Sequence, residues 1–151
     1  MPSLIKNISP ISDFLTSQEK PLIIAGPCSA ESEEQVLQTA RELAKIPQVA
    51  AFRCGLWKPR TRPGDFEGRG QEGMAWLKRV KQETGMKIAV EVALPEHINI
   101  CLKNEIDILW IGSRTVVNPF SVNEIDWNET PRRFNEFGAS PRTPIASSRV
   151  S

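Results

Sequence analysis

"KIAVEVALPEHINICLKNEIDILWIGSRT", residues 87–115, holds the pattern on which the fold turns. Residues 87–94 are an apolar run carrying one acid, Glu91. Pro95 stands where a first-turn proline belongs, and residues 95–105 carry a helical pattern. A second apolar run follows at 107–115. Strand, helix and strand with such short joins predict two parallel strands linked by a crossover helix.

The same alternation extends upstream. "EGMAWLKRVKQET" (72–84) predicts a helix with Met74, Leu77 and Val80 on one side and Gly85 as its stop. "VAAFRCGLW" (49–57) predicts a strand. "SEEQVLQTARELAKI" (32–46) predicts a helix opened by a Ser32/Gln35 capping box and ended by Pro47. Its apolar face is Val36, Leu37, Ala40, Leu43 and Ala44. "PLIIAGPCS" (21–29) predicts a first strand, stopped near Gly26-Pro27. Downstream, "NPFSVNEI" (118–125) starts a fourth helix. Residues 1–20 are a lead-in, 21–125 the α/β domain, and 126–151 an irregular, disordered tail in which apolar periodicity vanishes. About four βα units with apolar strands, buried on both faces, fit two architectures: a doubly wound open sheet and a portion of a (β/α)8 barrel, which needs about 250 residues.

Composition narrows the functional classes. With 19 basic and 18 acidic residues among 151, the chain has no field for nucleic acid or membranes. No apolar run approaches the ~20 residues of a membrane helix, and "MPSLIKNISPISDF" has no signal-peptide core. Cys28, Cys54 and Cys101 form no C-x-x-C, which fits a reducing compartment, so the cytoplasm is expected.

Polar residues gather where the strands end, the ligand side of parallel α/β folds. The first strand ends in Cys28-Ser29; the second contains Arg53 and runs into Lys58, Pro59, Arg60 and Thr61; the fourth ends in Arg114-Thr115. Alternation puts Ala89, Glu91 and Ala93 on one face of the third strand, Ala51, Arg53 and Gly55 on one face of the second, and Gly112 and Arg114 on one face of the fourth. A buried charge needs a partner, so Arg53 and Arg114 pair with Glu91 or with a bound anion. Guanidinium groups suit carboxylate and phosphate. No G-x-G-x-x-G or Walker A pattern supports a nucleotide site. Arg62 and Arg69 read as solvated loop charges, Cys54 and Cys101 as core packing, His97 as a surface or capping residue, and Trp57 and Trp110 as packing.

"IIAGPCSAES", "FRCGLWKPRTRPGDFEGRGQEG", "AVEVALPEH" and "WIGSRTVVNPF", in this order over about residues 9 to 125, resemble the 3-deoxy-D-arabino-heptulosonate 7-phosphate (DAHP) synthases. They are closest to the type I branch without an N-terminal regulatory domain, some members of which carry a C-terminal chorismate mutase. The resemblance implies the N-terminal half of a (β/α)8 TIM barrel and the condensation of phosphoenolpyruvate with erythrose 4-phosphate, the first step of the shikimate pathway. It implies phosphoenolpyruvate binding by Arg53, Lys58, Glu91 and Arg114, with Lys58 also a proton donor, and erythrose 4-phosphate binding by Arg60 and Thr61. It implies a divalent metal, manganese or similar, with Cys28 as a ligand. The synthases of 3-deoxy-octulosonate 8-phosphate share the "GPC" start, but their second-strand motif is of a Lys-Ala-Asn-Arg type where this chain has Lys58-Pro59-Arg60-Thr61.

The family's remaining lysine, arginine and metal-binding His, Glu and Asp segments do not follow residue 125. The sequence therefore reads as a truncated synthase, inactive alone and not retaining the metal, which aggregates or needs a completing partner; the intact protein would be a homo-oligomer. A non-catalytic half-barrel that binds phosphate or phosphoenolpyruvate, or serves assembly, is the competing expectation.

Overall fold

The structure, a computed structural model, describes residue 15 and residues 21–57 and 68–117. The predicted helix at 118–125 and the tail at 126–151 lie outside the described residues. Four strands and four helices alternate: β1 (Ile23–Ala25), α1 (Glu33–Leu43), β2 (Val49–Cys54), α2 (Glu72–Thr84), β3 (Lys87–Val92), α3 (Pro95–Lys103), β4 (Ile108–Ile111) and α4 (Ser113–Val116).

Local chemistry fixes the helix ends. Ser32, extended at φ −147°, accepts the Gln35 N–H through its hydroxyl at 3.2 Å, and Glu33 and Glu34 fill the first turn. The Gln35 side chain reaches one residue further back than a capping box requires and accepts the Glu31 N–H at 3.0 Å. Ala44, expected on the apolar face of α1, is exposed because the helix ends at Leu43. Gly85, at φ 69°, closes α2 in the left-handed conformation. Pro95 opens α3 as expected. The far end of α3 closes with a left-handed non-glycine, Glu105 at φ 55°: the Ile106 N–H donates to the Cys101 carbonyl and the Glu105 N–H to that of Leu102.

All strand pairings are parallel, and the order is β1-β2-β3-β4. This order separates the two candidate architectures. Right-handed crossovers stepping always to the next strand put every helix on one face, whereas a doubly wound sheet reverses direction and covers both. The core follows: Phe52 lies beside Ile88, Cys54 beside Val90, Val90 beside Leu109, and these side chains share one cluster with Val36, Leu37, Leu77, Val80, Ile98 and Cys101. The fold is thus α/β and barrel-like, with one apolar face against the helices.

Burial on both faces, expected of every strand, holds at the centres of β2 and β3, where Ala51 and Phe52, and Ile88 and Ala89, are all buried, but not along every strand. Ile23 and Ile24, which point to opposite faces, remain 38% and 40% exposed because β1 pairs with β2 alone among the described strands, and Arg53, Glu91 and Trp110 are half-buried on the face turned from the described helices. The first strand is also shorter than 21–29: Gly26, at φ 149°, leaves the strand with its Cα against the Arg53 carbonyl, where any side chain would collide. Below the sheet, Asp107 accepts the Ile88 N–H at 2.9 Å and an ammonium bond from Lys81 at 2.9 Å, tying β3, β4 and α2 at their shared end. On the outer surface, Arg79 bridges Glu33 at 2.6 Å and Arg41 bridges Glu83 at 2.7 Å, joining α1 to α2. These pairs are exposed and contribute little.

The inner strand β3 and the edge strand β1 are buried unequally. Ile88→Val, at a site 1% exposed, should cost about 0.5–1.5 kcal/mol in urea unfolding. Ile24→Val should cost less than ~0.5 kcal/mol, because that side chain is already 40% exposed. Equal losses would contradict this difference in burial between β3 and β1.

Candidate functional site

The strand ends meet in a rim built mainly by backbone contacts. The Gly55 N–H donates to the Pro27 carbonyl at 3.3 Å and the Ala30 N–H to the Gly55 carbonyl at 2.9 Å, so Cys28 and Ser29 are held beside the exit of β2. Cys28 is exposed, and it lies three residues past the end of β1 rather than on it. Ser29 accepts an amide bond from Gln35 through its carbonyl at 3.2 Å. Its hydroxyl is buried with no hydrogen-bond partner among the described residues.

The face of the sheet turned from the helices carries the charges. Arg53 on β2 is in register with Ala89 on β3, and Glu91, two residues further along β3, is in register with Trp110 on β4. The Arg53 guanidinium carbon lies 5.8 Å from the centroid of the Trp110 ring. Glu91 turns its carboxylate against Gly112, where a β-carbon would overlap it. Among the described residues Arg53 and Glu91 form no ion pair with each other within 4 Å. The two charges therefore share a face and each rests on a different residue at the β4 side.

Arg114-Thr115 is not the end of a strand. Gly112 is extended at φ −68°, ψ 157°, and the chain then turns into α4, with the Thr115 N–H donating to the Gly112 carbonyl at 3.0 Å. Gly112 and Arg114 thus do not alternate along one strand. Thr115 is buried, and the side chain of Arg114 lies outside the described residues. Lys58, Arg60, Thr61 and Arg62 lie outside them as well. Arg69 does more than face solvent: its guanidinium bonds the Glu31 carbonyl at 3.1 Å and lies 3.7 Å from the Glu72 carboxylate, linking the β1–α1 loop to α2.

His97 and Trp57 form a second feature that alternation could not show. Their rings stack in parallel, 4.0 Å between centroids and 7° between planes. The His97 Nδ1 accepts the Ala93 N–H at 3.2 Å, which is the capping role expected of it. The stack joins the exit of β2 to the first turn of α3. Burial holds the imidazole below its usual pKa, opposed by the neighbouring Glu96 carboxylate. Cys54 and Cys101 are buried in the core as expected, and burial pushes the Cys101 thiol up to about 12.

The described residues do not fit a divalent metal by themselves. No group of three or more His, Cys, Asp or Glu side chains converges among them, and a metal site takes four or more donors. No helix among them is long and apolar enough to cross a membrane.

A family model described as "DAHP synthetase I family" matches residues 6–125. A phospho-2-dehydro-3-deoxyheptonate aldolase of Thermotoga maritima is 38% identical over 96 residues, which are 64% of this chain and 28% of that protein. A 2-dehydro-3-deoxyphosphooctonate aldolase of Nitratidesulfovibrio vulgaris is 35% identical over 81 residues, covering 50% of this chain and 30% of its own length. Among solved structures, a phospho-2-dehydro-3-deoxyheptonate aldolase (DAHP synthase) from Thermotoga maritima superposes with a TM-score of 0.58 at 31% identity, over 69% of this chain and 29% of that one. The match thus covers less than a third of the length of each of these three relatives.

The rim carries its own pH signature. Because the His97 pKa is lowered in the folded state, its contribution is fully present above about pH 6.5 and is lost as pH falls below that value, where the unfolded chain takes up the proton first. Urea midpoints should therefore drop between pH 7.5 and pH 5.5. His97→Asn, which keeps an acceptor for the Ala93 N–H, should flatten that dependence; an unchanged slope would remove His97 as its source.

Proposed function

The chain belongs to the DAHP synthetase I family, and from that premise we propose that its four βα units supply one wall of a pocket for phosphoenolpyruvate and erythrose 4-phosphate. The observation that carries this reading is the placement of Arg53 and Glu91 together on the sheet face turned from the described helices, near the carboxyl ends of the strands. Phosphoenolpyruvate presents a phosphate and a carboxylate, so a site for it needs fixed cations on a partly desolvated floor. Arg53 answers that need as a planar, permanently charged donor. In this reading Lys58 and Arg114 complete the cation set, and Lys58 delivers a proton as the new carbon–carbon bond forms. Arg60 and Thr61 bind the phosphate of the aldose.

Glu91 supplies the negative counterpart on the same floor. Its negative charge limits how many anionic groups the face accepts. In this reading Cys28, exposed in the turn that backbone bonds hold beside Gly55, would contribute one ligand to a divalent metal whose other ligands are not among the described residues. We assign no catalytic step to that metal, because the described residues do not fit it alone. The 2-dehydro-3-deoxyphosphooctonate aldolase relative raises a second reading of the aldehyde, as a longer aldose phosphate. Lys58-Pro59-Arg60-Thr61 favours erythrose 4-phosphate.

One wall binds without turning over. The chain should take up phosphoenolpyruvate in isothermal titration, and Arg53→Ala should raise Kd about 10- to 100-fold, the worth of a charge-assisted contact. With both substrates and manganese the chain alone should release no DAHP. Unaltered affinity in Arg53→Ala would remove the guanidinium from the site, and measurable turnover would show that these residues suffice for catalysis.

A further inference from the structure

The open face of the sheet poses a problem of electrostatics. A half-buried arginine needs something to hold it, and the nearest acid in the strand pattern, Glu91, would neutralise it. The structure resolves this differently. Strands lie about 4.8 Å apart, so β2 and β4 are separated by about 10 Å across β3. Ala89, the β3 residue in register with Arg53, is fully buried and too short to block that path. Arg53 crosses above it, and its guanidinium carbon comes to 5.8 Å from the Trp110 ring centroid. Glu91 leans instead toward Gly112, whose missing β-carbon makes room for the carboxylate.

We infer that Trp110 is a positioning residue for Arg53, its ring holding the guanidinium over the open face of the sheet while leaving the N–H donors to an anionic ligand. An aromatic face attracts a cation through its quadrupole without accepting its hydrogen bonds. An ion pair would occupy two donors and cancel the charge. A ring costs the site neither, and it removes rotamers that the ligand would otherwise have to freeze. Gly112 acts with it by drawing the competing carboxylate aside. The inference rests on the reading of Arg53 as a phosphoenolpyruvate contact and adds what prepares it.

The test is isothermal titration of the full chain with phosphoenolpyruvate, accompanied by thermal melts. Trp110→Leu, which keeps apolar bulk and removes the quadrupole, should raise Kd about three- to tenfold with little change in the melting temperature. Trp110→Phe should raise it less, and it carries the test if Trp110→Leu does not fold. In an Arg53→Lys background, where the planar group is gone but charge keeps binding measurable, Trp110→Leu should change Kd less than about twofold. Equal affinity of Trp110→Leu and the unaltered chain would overturn the inference. So would the same loss in both backgrounds, which would make Trp110 a direct contact or a general support. Absence of binding by the unaltered chain, or an Arg53→Ala variant that binds as well, would instead overturn the phosphoenolpyruvate reading on which the inference rests.

Discussion

Each strand of this sheet pairs with its neighbour in sequence, and every connection returns the chain parallel through a helix. With right-handed crossovers, that order allows the helices one face only. Everything else depends on this division. Phe52, Cys54, Ile88, Val90, Val92 and Leu109 become core because they alternate toward the helices. Arg53, Glu91 and Trp110 become a polar floor because they alternate away. Ile23 and Ile24 point to opposite faces and are both exposed, although their sequence is that of a buried strand, because β1 pairs with β2 alone among the described strands.

The floor has an internal order that charge counting does not capture. Its basic and acidic groups share one face but rest on separate supports, an indole ring and a glycine. Kept apart, the two charges do not neutralise each other in an ion pair. The rim is held with comparable economy: backbone bonds through Gly55 hold the Cys28-Ser29 turn, and the His97–Trp57 stack joins the exit of β2 to α3.

Much of this was legible in the sequence for physical reasons that can be named. The boundaries of α2 were visible because Gly85 supplies the one left-handed residue its end requires, and Pro95 marked the start of α3. The polar face of β3 was visible because period-two alternation isolates Glu91 among apolar residues. Trp110 was read as packing because its partner, Arg53, is 57 residues distant and two strands away, and only the register brings them together. His97 was read as a cap, which it is, but its stack on Trp57 depends on how two loops meet. Arg114-Thr115 looked like strand because an apolar run gives no warning of a helical turn after Gly112. The resemblance to the synthases, now matched by the family over residues 6–125, came from motifs rather than from any of these patterns.

The central claim is that the face opposite the helices is the ligand face. Backbone and indole amide shifts, followed by NMR while phosphoenolpyruvate is added, test it most directly. The account predicts movement at Arg53, Glu91, Gly112 and the Trp110 indole N–H, with Val36, Leu77 and Cys101 on the helical side unmoved. Movement confined to the helices, or none at Arg53 and Trp110 under saturating ligand, would contradict it.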